Sequence, residues 1–308
     1  MTMRRQTMDT SPRTGPEDRQ DVLDPLATPR PLRHPGHWIT GAVAVALGAL
    51  AVWQVAGNDQ LQWGVFWQYL FSEPILAGLV VTLKLTLLAQ AIAIAVGAGL
   101  ALLGESRNPV LRLIVRGYVG FFRGLPLLVL LLICFNAALF VPQIGVGAWN
   151  WKVNDLISGF TAAIIGLALH ESAFMVEIIR SGFISVSAGQ MEAAKSIGMK
   201  RGMAMRSIVI PQAIRVIIPP TGNQFISLLK ASALVAVIGG GDLLTRAQQI
   251  YGANFAVIPL LMVASFWYLV LVSLASLGQH FLERHFALAG ARKRTRPEQA
   301  KPVEGDGR

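Results

Sequence analysis

The sequence predicts an all-α integral membrane protein, a bundle of six membrane-spanning helices. Three observations carry that prediction. Of 308 residues, 53% are hydrophobic and 14% charged, with mean hydropathy +0.52, against about 25% charged residues in soluble domains. Apolar stretches on the scale of a bilayer crossing recur along the whole chain. The segments between them alternate in charge: residues 1–38, 104–124, 182–212 and 282–308 hold 21 of the 27 Lys and Arg, whereas 57–74, 142–158 and 239–256 hold 2. Basic residues concentrate in cytoplasmic loops, so both termini and the 182–212 segment are expected in the cytoplasm. The same topology accounts for the +10 formal charge without a nucleic-acid partner.

Residues 1–38 are polar and proline-rich, with six arginines among acids, and read as a flexible cytoplasmic tail. They are not a secretory signal, because the apolar stretch starts too late. The first span, 39–56, is short against the roughly 20 residues a bilayer needs. Residues 57–74 have no Lys or Arg but include Trp63, Trp67 and Tyr69, which suits an outer interfacial segment. The second span, 75–103, is broken only by Lys84. Arg107, Arg112, Arg116 and Arg123 then surround a short elbow helix, and 125–141 crosses again. A Gly- and Trp-containing outer loop, 142–158, leads to the fourth span at 159–179. The fifth span is 216–238. An outer loop opening on three glycines, 239–256, precedes the sixth span at 257–281 and a basic cytoplasmic tail, 287–308.

The most informative stretch is the polar loop 187–211, which includes GQMEAAKSIGMKRGMAMRSIVIP. Ser187 with Gln190 three positions on predicts a capping box. At about 100° per residue, Met191, Ala193, Ala194 and Ile197 fall on one side of a helix, with Glu192, Lys195 and Ser196 on the other. Gly198 supplies a left-handed stop. A second short helix from Gly202 is expected to end before Pro211.

The order Glu192-Ala193-Ala194, three residues, Gly198, nine residues, then Ile208, Ile210 and Pro211 resembles the EAA loop of ABC importer permeases. The flanks FFRGLP (121–126), EIIRSG (177–182) and IPQAIRVIIPPTGNQFISLLK (210–230) are similar to the polar amino-acid branch. The resemblance covers roughly 75–286. It departs at Ile210, where leucine is usual, and after Lys230, where Ala-Ser replaces an acidic residue. It implies a type I ABC importer permease with five core spans plus one extra N-terminal span, in a bacterial inner membrane. It also implies that Glu192, Ala193, Ala194, Gly198, Ile208 and Pro211 form a coupling element that docks on a cytoplasmic ATPase. ATP and magnesium would reside on that ATPase and no cofactor on this chain. The other implied partners are a second permease subunit, copy or paralogue, a binding protein at the outer face, and a polar amino acid as solute. Two alternatives stand beside this reading: the same machinery for an opine or a sulfur amino acid, and a non-transporting scaffold that recruits a cytoplasmic partner.

A charge at the bilayer centre costs about 2.5–3.5 kcal/mol on insertion scales, so ionisable residues within spans need an interior, aqueous or interfacial setting. Glu177 and Arg180, three apart near the cytoplasmic end of the fourth span, are expected to form a structural ion pair. His170 and Glu171, near the middle of that span, either line a translocation path or form a satisfied buried pair. Pro219 and Pro220 predict irregular backbone, which at depth survives only against protein or water. Thr221, Asn223 and Gln224 beyond them are candidates for the path, or for a kinked helix at a subunit contact; Lys230, like Lys84, either lines the path or snorkels or pairs with an acid. No catalytic motif is complete. His170-Glu171 begins like a zinc helix, but Phe174 stands where the second histidine belongs. No Gly-Lys pair exists to build a Walker A loop. Cys134 is alone, so no disulfide forms within the chain. No metal site is expected.

Overall fold

A computed structural model of the chain describes the backbone of residues 35–146 and 149–294, and the side chains of 40–145 and 149–286. Most of the expected tails, 1–34 and 295–308, lies outside the described residues. The chain divides into two units, residues 1–58 and 59–308. The first holds α1 (Pro35–Ala56), a helix of 22 residues and so about 33 Å long at 1.5 Å per residue. Helix starts at Pro35, four residues before the apolar run.

In the second unit, a 3₁₀ turn (Asp59–Leu61) leads into α2 (Trp63–Leu70), α3 (Glu73–Gly104), α4 (Pro109–Gly124), α5 (Leu127–Phe135) and α6 (Ala137–Phe140). An antiparallel hairpin, β1 (Gln143–Val146) with β2 (Trp149–Lys152), pairs Ile144 with Trp151. There follow α7 (Val153–Leu156), α8 (Gly159–Ile184), α9 (Ala188–Ser196), α10 (Arg201–Ala204), α11 (Ile210–Ala231), α12 (Leu243–Asn254) and α13 (Val257–Arg294). Among the described residues, four helical stretches are long and apolar enough to cross a membrane: Glu73–Gly104, Gly159–Ile184, Arg201–Ile238 and Val257–Phe286.

α8 is the central helix, packed on α3, α5, α11 and α4. Its start is set by a capping box in which the Ser158 hydroxyl accepts from the Thr161 N–H at 3.2 Å and the Ser158 N–H donates to Thr161 Oγ1 at 2.8 Å. Small residues let the helices approach. Ala89, Ala93, Gly97 and Ala101 recur every fourth position of α3 and are all buried, a stripe that lets membrane helices pack backbone to backbone. A Cβ on Gly97 would lie 2.6 Å from Met175 Cβ on α8.

Three expectations are corrected and one is filled in. The third span, 125–141, is not one helix: α5 has nine residues and ends at Asn136, which separates it from the single turn of α6; α4, the expected elbow helix, meets α5 at 101°, because Leu125-Pro126 forces extended backbone between them. The aromatic segment 57–74 contains α2, which packs on the bundle: Phe66 and Leu70 are buried with Leu260 and Val263 of α13, and Trp267 Nε1 donates to the Leu70 carbonyl at 2.7 Å. The outer loop 239–256 is mostly α12, capped by Asp242, whose carboxylate accepts from the Leu244 N–H at 3.1 Å. The helix from Gly202 does not stop before Pro211. A π turn (Met205–Val209) carries it into α11: the Ile210 N–H reaches back five residues to the Met205 carbonyl. That register shift takes the chain through Pro211, which has no N–H to donate.

Candidate transport site: the coupling loop and the intramembrane polar row

α9 ends in a Schellman motif. The Gly198 N–H donates to the Lys195 carbonyl at 2.9 Å and the Met199 N–H to the Ala194 carbonyl at 3.0 Å, with Gly198 at φ +79° and open space where a Cβ would stand. Gly198 is therefore required for backbone conformation, not for packing. The start differs from expectation: the Ser187 side chain makes no capping bond, and its carbonyl takes the Gln190 N–H instead.

The predicted apolar side of α9 divides. Ala194 is 1% exposed and holds the helix to the body of the protein, while Met191 is half-buried. Ala193 and Glu192 face out, and Ile197 is 77% exposed. Ile208 is half-buried in the π turn and Pro211 is exposed. Beneath α9, a cavity of about 410 Å³ is lined by Phe183, Ile184, Met191, Met205 and Val209. The loop is thus a short helix on small contacts, presenting an acidic residue, an alanine and an isoleucine outward.

The residues expected to line a path are only partly brought together. Glu171 is 2% exposed; its Oε2 accepts from Gln224 Nε2 at 3.2 Å, linking α8 to α11, and its Oε1 is buried without a partner among the described residues. His170 points elsewhere, with Nδ1 3.0 Å from the Phe122 carbonyl of α4 and its ring against Phe174. Thr221 donates back to the Ile217 carbonyl at 2.8 Å. Asn223 and Lys230 are exposed, on the same face of α11 as exposed Ser227.

Two further expectations fail. Among the described residues, Glu177 and Arg180 form no ion pair. Both side chains instead border a cavity shared with Arg112 and Arg116. The Pro219–Gln224 run is not irregular, since α11 is continuous from Ile210 to Ala231. Neighbouring donors support this turn, as hydroxyls and adjacent helices do in other proline-containing spans. Gln279 Nε2 of α13 donates to the Pro219 carbonyl at 2.8 Å, and its amide lies where a Cβ on Gly222 would be.

Sequence reasoning missed Gln90, Tyr118, Ser172 and Gln279. Gln90 Nε2 contacts Met175 Sδ at 3.2 Å, and Tyr118 Oη and Ser172 Oγ are 2.6 Å apart. The available signal was a neutral polar side chain inside an apolar run, but only charged residues and the post-proline amides were weighed.

The geometry is that of a multi-pass helical membrane protein with a short helix-turn-helix element between two spans. The family model for the inner membrane component of binding-protein-dependent transport systems matches residues 91–287, and the chain belongs to that family. It is an ABC permease, a membrane transport subunit and not a catalytic one. An arginine transport system permease of Corynebacterium glutamicum is 39% identical over 280 residues, covering 90% of this chain and 89% of the relative. A probable glutamine ABC transporter permease of Bacillus subtilis is 37% identical over 203 residues, covering 65% of this chain and 88% of the relative. Among solved structures, an amino acid ABC transporter crystallised with histidines aligns at TM-score 0.60 and 38% identity, over 69% of this chain and 94% of that chain.

Proposed function

We propose that this chain is the permease subunit of an ATP-driven importer that carries a polar amino acid inward across the cytoplasmic membrane. The observation that carries the reading is the outward-facing Glu192, Ala193 and Ile197 surface beside the Gly198 turn. It is a docking face on a helix too small to serve the bundle's own packing. In this reading the transport domain is 75–286 with its coupling loop at 187–211, the span 39–56 is an addition, and both tails are cytoplasmic. ATP and magnesium act on a separate ATPase. A second permease subunit completes the path, and a binding protein delivers solute outside. Arginine is the first solute to test, because the likeness to an arginine permease runs through most of both chains.

Motion has a direct route. The helical stretch from Arg201 to Ile238 is unbroken, so a displacement of α9 by a closing ATPase pair passes through the π turn into α11. Rocking of α11 against α8 then switches access between the two sides. The face of α11 bearing Asn223, Ser227 and Lys230 lines the path, with the Glu171–Gln224 contact behind it.

The test is a detergent pull-down of the cognate ATPase on the wild-type chain beside Gly198→Asp. The wild type retains the ATPase and the variant loses it. If neither retains an ATPase known to be in the mixture, the coupling role of the Glu192 loop fails.

A further inference from the structure

The cavity where the Glu177–Arg180 pair was expected is a feature that the transport reading does not use. It measures about 220 Å³ and lies between the end of α3, α4 and the last turns of α8, bordered by Glu105, Ser106, Arg112, Arg116, Glu177 and Arg180. Arg112 and Arg116 are one turn apart on α4, while the intervening Val115 is buried against the bundle. The three guanidinium groups outnumber the two carboxylates. Among the described residues, none of these five charged side chains makes an ion pair within 4.0 Å or any other polar contact. Three uncommitted forked donors around one small cavity suit a tetrahedral oxyanion.

The surroundings indicate where that oxyanion comes from. α4 is amphipathic, and Val110, Leu113, Ile114 and Phe121 are exposed on its surface. At the neighbouring end of α3, Leu102 and Leu103 are also exposed. The 101° bend to α5 lays α4 across the end of the bundle, the posture of an interfacial helix. It also belongs to a basic segment, 104–124, with four arginines and one acid, the composition of the cytoplasmic side. Basic pockets between helices on that side hold phospholipid headgroups.

We propose that this cavity binds the phosphate of an anionic phospholipid from the cytoplasmic leaflet, with Arg112, Arg116 and Arg180 on the phosphate and the acyl chains along the exposed apolar residues of α3 and α4. Glu105 and Glu177 oppose anion binding, and the three arginines leave the lining a net positive charge that favours an anionic over a zwitterionic headgroup. An anchored lipid here would seat the elbow of the broken third span beside the helix that leads to the coupling loop.

The test is native mass spectrometry of the chain purified with its partner subunits and delipidated, titrated with phosphatidylglycerol or phosphatidylcholine. Wild type retains phosphatidylglycerol in preference. At about fivefold in affinity per basic residue near a membrane surface, Arg112→Gln/Arg116→Gln weakens retention roughly 25-fold, while Arg284→Gln, ten residues before the end of α13, leaves it unchanged. Glu105→Gln/Glu177→Gln strengthens retention, a gain that misfolding cannot imitate. Equal retention by wild type and the double arginine variant, or no gain in the double glutamine variant, overturns the proposal. Displacement of the lipid by inorganic phosphate at equal concentration overturns the lipid assignment in favour of a free anion.

Discussion

α9 and the α3–α8 interface form one chain but are stabilised in opposite ways. At the interface, the backbones approach so closely that a single Cβ at Gly97 has no room. Around α9, a Cβ at Gly198 meets nothing within 4 Å, and one buried alanine holds the helix in place. The interface depends on what its side chains lack. The loop depends on one left-handed residue and leaves its side chains uncommitted. A transporter needs both: a core that moves as a body, and a handle that a partner can grip without first breaking contacts inside the chain.

This contrast can be broken by substitution. Gly97→Leu has the largest expected effect, because it overfills a close-packed helix crossing. Overpacking costs about 1–3 kcal/mol, occasionally more, so we expect a lower melting temperature in detergent and reduced yield from membranes. Normal yield and melting would remove Gly97 from the interface argument. Gly198→Asp comes next and differs in kind. ATPase retention falls severely, whereas the melting temperature moves little, since the cost is local backbone strain of about 1–2 kcal/mol. A large loss of stability in this variant would show that the loop is part of the core after all.

Glu171→Gln sharpens the comparison from inside the membrane. The amide oxygen can still accept from Gln224, so assembly survives, but the group that can take up or release a proton is gone. Transport in proteoliposomes is expected to slow while subunit retention holds. Unchanged uptake kinetics would remove Glu171 from the site. Ser158→Ala gives the smallest effect. It removes one half of the α8 capping box, worth about 0.5–2 kcal/mol, with a matching fall in melting temperature and no change in ATPase binding.

The legibility of each region follows the same division. The coupling loop was readable because its determinants are local: Gly198 stops a helix through its own φ, and Glu192, Ala193 and Ala194 sit at positions countable along the chain. Even there, the outward turn of Ala193 and Ile197 was not readable, because the wheel that groups them with Met191 does not say which part of that side meets the protein. The polar row was readable only as a set of suspects. Charge inside an apolar run marks a residue as constrained, but its partner lies far along the chain: Glu171 with Gln224, His170 with the Phe122 carbonyl, Gln279 with the carbonyl of Pro219. Proline misled twice, at Pro211 and at Pro219-Pro220, since a π turn and neighbouring donors absorb what a lone helix could not.

By itself, then, the sequence determined the helical class, the positions of most spans, the alternation of loop charge and the coupling motif, because these depend on composition, period and the backbone limits of single residues. The tertiary structure decided that the third span is broken, that 63–70 and 243–254 are packed helices, that Glu177 and Arg180 border a cavity instead of pairing, and which polar groups meet. Those outcomes are set by how closely helices approach one another, which depends on side-chain size at contacts between residues distant in the chain.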